Sequence, residues 1–571
     1  MAGGCSGPPG AVSMMIDTWF GDPESPNLGF LHLPDDGRVT GGVVLCPPLG
    51  YDQVIGYRAM RFVGQQLAAR GLAALRFDYL GEGDATGLSG SSAAPELWMT
   101  SIARATAYLR ESGIENIALL GLGSGALLAN EAAATVNAGA LVLWDPELSG
   151  RRFLRRQRSL FELTVGAHVD NDPSGLLSLT LHPEAAAWLT SREITPASLP
   201  VGIDSLVVGR RAHDENPATL RLTGNLPARV EYRSVTGQEE LLEAPSALAV
   251  LPEETIAGMG DWIADRFAGA SVTVDPTVTD TAVVGTAPDG TRILERLSRV
   301  GSHDLFVIET VREGDLESGI VVLQPGAAEH RVGPGRFQVL AARELADRGY
   351  RAIRFDRRVT GDTTEVRPGE PSLIFAEEWV DDTDELIGAL GPDQVIAHAG
   401  LCAGGWVAGR MAERRSARLA VMFSPNYFKT AALAAGEYST LTLSEREGRQ
   451  RFTGIKRALR GRLPGWAWPI LGRLQLFHDP GVLLEASSRH AGSTVALLMT
   501  PEDRENFEAH RGHDAVARLQ NRGADIRVTN YPFGDHSLFG DDVRSAMLTD
   551  LLALVEETMP RAAALSSRSP A

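Results

Sequence analysis

Residues 321–362 read VVLQPGAAEHRVGPGRFQVLAARELADRGYRAIRFDRRVTGD, and residues 43–84 read VVLCPPLGYDQVIGYRAMRFVGQQLAARGLAALRFDYLGEGD. The two stretches align without a gap at an offset of 278: Arg336 meets Arg58, Gly349 meets Gly71, and Arg354-Phe355-Asp356 meets Arg76-Phe77-Asp78. Further on the offset becomes 279. There Gly400-Leu401-Cys402-Ala403-Gly404 meets Gly121-Leu122-Gly123-Ser124-Gly125, and Phe423-Ser424-Pro425 meets Trp144-Asp145-Pro146. A register kept over about a hundred residues with one insertion implies two copies of one fold in tandem. The expected domains are residues 14–268 and 273–560, joined through Ala268–Pro276, a stretch small and polar enough for a linker.

Each copy alternates short β-branched runs with amphipathic stretches. In the second copy Gly319–Leu323, Tyr350–Phe355, Gln394–Ala399 and Leu419–Phe423 read as strands. Arg336–Arg348, Glu377–Leu390 and the stretch opening near Ala403 read as helices. Alternation with short connections implies an α/β fold, a mostly parallel sheet with helices on both faces. Residues 426–493 interrupt the pattern and read as a helical lid over the second copy. Ala562–Ala571 carries Ser, Arg and Pro without periodicity and is expected to be disordered.

Composition narrows the function. The 571 residues are 44% hydrophobic and 22% charged, ordinary globular values and too many residues for one core. Against 54 basic residues stand 72 acidic ones, a net charge of -18, which argues against a nucleic-acid binder. The three cysteines, Cys5, Cys46 and Cys402, cannot build a disulfide framework. No apolar run approaches the ~18 residues of a membrane span, and the first residues lack the charged and apolar regions of a signal peptide. The expectation is a cytoplasmic protein without membrane, metal or cofactor.

Gly400-Leu401-Cys402-Ala403-Gly404 fits a nucleophile elbow with cysteine in the serine position. A strand turning sharply into a helix forces small residues two before and two after the nucleophile. The helix N-terminus beneath favours thiolate. The Ala403 N–H points to where an oxyanion would form, and the second donor is expected just past the first strand, in Pro325-Gly326-Ala327, at Ala327. An acid and then a histidine should follow in chain order. Asp503 lies just past the strand Thr494–Met499, with Glu502 as its neighbouring candidate, and His536 lies in Gly534-Asp535-His536-Ser537 after Ile526–Asn530. His398 reads as a buried core histidine, Asp356 and Asp362 as fixing the loop after their strand, and Cys46 as packing.

The first copy lacks the parts. Gly123 stands at the aligned elbow, Ser124 stands in the oxyanion-donor position, and His213 stands where the acid belongs. No histidine occurs between Asp214 and His303. Gly121-x-Gly123-x-x-Ala126, with Asp145 further on, also fits a dinucleotide fingerprint. The repeat places it after two earlier strands, whereas that fingerprint follows a first strand. This half reads as a degenerate, catalytically empty copy.

Taken together, both halves resemble the α/β-hydrolase superfamily over nearly the whole chain, a likeness carried by RFDxxGxGD and GLCAGG. Both are also similar to bacterial hydrolases associated with exosortase loci, through HRVGPGR (His330–Arg336), GLCAGG, and LVLWDPELSGRRFL (Leu141–Leu154). Cysteine at the elbow is similar to dienelactone hydrolases and polyhydroxyalkanoate synthases, and implies a Cys402-His536-Asp503 triad with a covalent acyl-enzyme. No substrate-defining motif of either family is visible, which leaves the reaction class open.

The lid holds ten basic residues and five acidic ones in an otherwise acidic chain. It reads either as a solvated helical face or as a recruiter of an anionic handle, such as a phosphopantetheine arm, its carrier protein or a carboxylate. Trp466 and Trp468, with Arg336, are the candidate substrate contacts. The expected activity is acyl transfer or hydrolysis of an ester or thioester, on a small acyl substrate that is free or linked to a carrier protein or CoA. Two alternatives stand beside it: an amide or peptide hydrolase, and a non-catalytic pseudo-dimeric scaffold. A homodimer is left open.

Overall fold

Hydrophobic alternation in the second half of the chain builds one large sheet. In this computed structural model, which describes residues 13–88, 90–165, 175–243, 249–314, 319–327, 329–391, 394–437 and 479–559, the chain forms two compact units. One is built mainly from residues up to Val283 and the other mainly from Val284 onward, with short exchanges at Phe161–Ser178 and Val366–Pro368.

The first unit carries an eight-stranded sheet: β1 (Ser13–Phe20), β2 (Asn27–Pro34), β3 (Gly41–Cys46), β4 (Leu72–Phe77), β5 (Ile117–Leu122), β6 (Ala140–Trp144), β7 (Asp204–Arg210) and β8 (Val230–Val235). Their order across the sheet is β1-β2-β4-β3-β5-β6-β7-β8. β2 runs antiparallel to both β1 and β4, and every pairing from β4 onward is parallel.

The second unit has nine strands: β9 (Thr281–Thr286), β10 (Arg292–Val300), β11 (Leu305–Arg312), β12 (Ile320–Gln324), β13 (Arg351–Phe355), β14 (Ile396–Leu401), β15 (Leu419–Phe423), β16 (Thr494–Met499) and β17 (Asp525–Asn530). The order is β9-β10-β11-β13-β12-β14-β15-β16-β17, so beyond the extra edge strand it repeats the order of the first sheet. In both, the third strand of the repeated set lies inside the fourth. The chain therefore crosses over, and the crossover opens a crevice at the carboxyl ends of the central strands.

Helices cover both faces of each sheet. Phe337, Ala341 and Leu345 lie one turn apart on the helix Phe337–Asp347, which buries that stripe against Val321, Leu323 and Ala352 beside Met547 and Leu551 of the helix Asp541–Thr558. Helix Ala403–Arg414 lies on the opposite face, where Gly405 and Gly409 approach Met422. Central strands are buried along their whole length, as a sheet covered on two sides requires.

Differences from the sequence reading are small and sit at element ends, where caps rather than patterns decide. β14 runs on through Leu401 into the elbow, and helix Glu377–Leu390 has the bounds expected. The stretch Ala268–Pro276 is more ordered than a plain linker: Val272–Thr273 pairs antiparallel with Arg38–Val39, since its β-branched residues can extend a short ribbon.

Asp356 and Asp362 fix the loop after β13. Asp356 accepts the Arg331 backbone N–H at 2.8 Å and the Arg331 guanidinium, which also reaches Asp362 at 2.9 Å. The Asp362 N–H closes the loop onto Asp356 at 2.8 Å. Gly361, at φ 46°, passes so close that a Cβ there would sit 2.1 Å from the Asp356 carboxyl carbon. Arg331, Asp356 and Asp362 are all fully buried, so removing the Asp356 carboxylate takes away the shared acceptor of the Arg331 N–H, the Asp362 N–H and the guanidinium. Asp356→Ala is expected to cost about 3–5 kcal/mol of the second unit's stability, read from urea denaturation.

Candidate functional site

Cys402 is the residue between β14 and the helix Ala403–Arg414. Its backbone is at φ 52°, ψ −111°, and its N–H donates to Phe423 across the sheet at 2.9 Å. The flanking glycines have a steric cause. A Cβ on Gly400 would lie 2.4 Å from the backbone of Gly404, and one on Gly404 would lie 2.4 Å from the Pro325 carbonyl. The strand, the helix and the loop after β12 therefore meet at backbone contact around the thiol.

The sulfur is half-buried, and a chain of polar contacts leads away from it. The thiol donates to Asn426 Oδ1 at 3.6 Å, and Asn426 Nδ2 lies 3.4 Å from His536 Nε2. His536 Nδ1 is 2.6 Å from Asp503 Oδ1, and the Thr500 hydroxyl donates to the other oxygen of that carboxylate. With Nδ1 against a carboxylate the ring proton sits there, so Nε2 presents a lone pair toward the sulfur side. Glu502, the neighbouring candidate, leaves this contact to Asp503.

Burial alone would push the Asp503 carboxyl up. The hydrogen bond and charge of His536, with the Thr500 hydroxyl, outweigh it and hold the group below its ordinary value. Burial would likewise push His536 down, but the charge of Cys402 and the bond to Asp503 hold it well above its ordinary value. Both shifts favour the ionised forms, so His536 is a stronger proton acceptor than a free imidazole.

Among the described residues, neither the Ala403 N–H nor the Ala327 N–H donates a hydrogen bond. Ala403 opens the helix under Cys402, and Ala327 follows β12 in a loop whose Pro325, Gly326 and Ala327 carbonyls are gathered by the Arg357 guanidinium. Arg336 is buried at the turn into the helix Phe337–Asp347, with left-handed backbone at φ 64°. Trp466 and Trp468 fall outside the described residues, as do residues 438–478 of the stretch expected to form a lid. Its last part forms the helix Pro480–Ser487.

Two participants went unread in the sequence: Asn426 and Arg357. Asn426 stands where the first half has Glu147, three residues past the end of β15, a signal of position alone. Of the remaining residues, His398 is buried in β14, where desolvation drives its pKa down to about 3. Cys46 is fully buried at the end of β3, and burial pushes its thiol up to about 12.

The strand order settles the architecture. The fold is that of the α/β-hydrolases. No family model matches the chain, and no curated protein matches it in sequence. Several solved structures are similar to it. Est1E from Butyrivibrio proteoclasticus, solved with ferulic acid, is 15% identical over 44% of this chain and 99% of its own, at a TM-score of 0.33. Brefeldin A esterase, described as a bacterial homologue of human hormone-sensitive lipase, is 16% identical over 46% of this chain and 81% of its own, at 0.32. A soluble variant of monoglyceride lipase from Saccharomyces cerevisiae, solved with a substrate analog, is 14% identical over 46% of this chain and 95% of its own, at 0.31.

A second elbow lies in the first unit. Gly123 is at φ 57°, ψ −120°, close to Cys402, with no side chain to attack anything. Ser124, aligned with Ala403, turns its hydroxyl inward to accept the Leu49 N–H at 2.8 Å, and Leu49 aligns with Ala327. The donor that would serve an oxyanion is consumed. A cavity of about 250 Å³ remains over Gly123, bordered by Glu147 and His213 and by Asp145, which is locked onto Arg210 at 2.7 Å. Placing a nucleophile there should restore nothing: Gly123→Cys combined with Cys402→Ala is expected to show no ester or thioester turnover above the Cys402→Ala background.

Proposed function

We propose that this chain is a cysteine-dependent acyl hydrolase or acyltransferase acting on an ester or thioester. The observation that carries the reading is the polar line Cys402–Asn426–His536–Asp503 at an elbow with two N–H groups uncommitted among the described residues. The fold's named neighbours include esterases and a lipase, which agrees with ester chemistry in general.

The steps follow from the groups in place. His536, oriented by Asp503, takes the Cys402 proton, and the sulfur attacks the acyl carbon. The carbonyl oxygen becomes an oxyanion facing the Ala403 and Ala327 N–H groups. Collapse expels the alkoxide or thiolate, which takes its proton from the His536 imidazolium and leaves an acyl-Cys402 thioester. Attack by water, an alcohol or an amine on that thioester, with His536 now removing the acceptor's proton, releases the product and restores the thiol. The acyl group is small-molecule in origin, free or presented on CoA or a carrier protein. The first unit takes no part in bond making.

Iodoacetamide at neutral pH tests the reading directly. Cys402 is expected to alkylate faster than Cys5, because His536 can take its proton, and faster than Cys46, which is fully buried. His536→Ala should slow it, and turnover of an acyl thioester should fall by about 10²–10⁴-fold. Intact-mass measurement on native protein should show one acyl adduct, lost in Cys402→Ala. Slow labelling unaffected by His536→Ala, with no adduct, would favour a non-catalytic scaffold.

A further inference from the structure

Arg357 is fully buried, yet only one of its three nitrogens has a partner among the described residues. Nη2 donates to the carbonyls of Pro325, Gly326 and Ala327 at 2.8, 3.1 and 3.2 Å, while Nε and Nη1 have none. The guanidinium carbon stands 3.5 Å from the centroid of the Trp379 ring. A desolvated cation so incompletely bonded is an expensive way to fasten a loop.

The first unit fastens the same loop without a charge. Tyr79 aligns with Arg357 at the offset of 278, Pro47 aligns with Pro325, and the Tyr79 hydroxyl donates to the Pro47 carbonyl at 3.2 Å. A neutral phenol thus supplies the tether in the unit whose elbow carries Gly123. The cation occurs in the unit whose elbow carries Cys402, so tethering alone does not account for it.

The field of Arg357 also reaches the nucleophile. Burial lowers its pKa to about 9, opposed by the charges of Asp382, Asp356, Cys402 and Glu329. Three carbonyls gathered on one guanidinium turn the dipoles of this loop toward Arg357, so the trans peptide directs the Ala327 N–H away from it, and that N–H has no acceptor among the described residues.

We infer that Arg357 is a positioning residue for the acyl-transfer site: it sets the loop Pro325–Ala327 as an oxyanion hole, and its charge stabilises negative charge at Cys402 and on the oxyanion. This rests on the proposed cysteine chemistry. The neutral-tether arrangement of the first unit offers the discriminating substitution, Arg357→Tyr, with Arg357→Lys keeping the charge but losing the fork.

The full-length chain is assayed for two rates: iodoacetamide alkylation of Cys402 at neutral pH, and hydrolysis of p-nitrophenyl acetate resolved into kcat and KM. Arg357→Tyr is expected to melt within a few degrees of the parent. Its kcat should fall on the order of a hundredfold, as for loss of an oxyanion donor, with KM little changed and alkylation slowed. Arg357→Lys should recover the alkylation rate more than kcat. Parent-like alkylation and kcat in a folded Arg357→Tyr would overturn the inference. Should that variant not fold, Arg357→Lys decides: reduced kcat with retained alkylation supports it, and both unchanged overturns it. A parent protein showing neither fast Cys402 alkylation nor turnover sinks the cysteine chemistry itself, and this inference with it.

Discussion

At Cys402 the backbone sits at φ 52°, a region that costs an L-residue on the order of 1–3 kcal/mol and persists only where its surroundings over-determine it. Here the surroundings are backbone against backbone. Gly404 presses on the Pro325 carbonyl and Gly400 on Gly404, so strand, helix and loop close to distances that admit no side chain. The rest of the second unit answers to that constraint. β12 and β14 must be neighbours in the sheet for the loop after one to meet the turn after the other, and the crossover order places them so. The thiol stands half-buried at the head of that turn.

The two elbows share a backbone and differ in what their side chains do. At Gly123 the conformation is inexpensive, and neighbouring side chains have settled into ordinary structural partnerships: Ser124 on Leu49, Asp145 on Arg210, Tyr79 on Pro47. At Cys402 the corresponding places hold Ala403, Ser424 and Arg357. Among the described residues two N–H groups stay uncommitted there, and a buried cation keeps two nitrogens without partners. Unsatisfied groups lower stability, so a buried cation left with two unpartnered nitrogens among the described residues is not explained by fastening the loop alone.

Much of this was legible in the chain. The gap-free repeat and the run of β-branched segments announced the sheets, because periodicity reports directly which faces are buried. Cys402, Asp503 and His536 could be placed because each follows a strand end, and strand ends are readable. Asn426 could not be, since nothing in Ser424-Pro425-Asn426 says which way the chain turns after β15. Arg357 was hidden differently. In Arg357-Arg358 two like residues follow one strand, yet one is fully buried on Trp379 and the other pairs with Asp382 at 2.7 Å, a choice that only packing makes.

The carboxamide of Asn426 offers a donor and an acceptor at nearly interchangeable places. In the observed orientation its oxygen takes the thiol proton and its nitrogen faces the His536 lone pair, which suits a neutral pair. A half-turn about the terminal torsion exchanges them, so that N–H meets a sulfur anion and oxygen meets an imidazolium proton. Hydrogen-bond counting is then the same for both charge states. The amide thereby acts as an indifferent bridge, and the balance between the two states passes to the fixed charges on either side, Asp503 behind the ring and Arg357 beneath the loop.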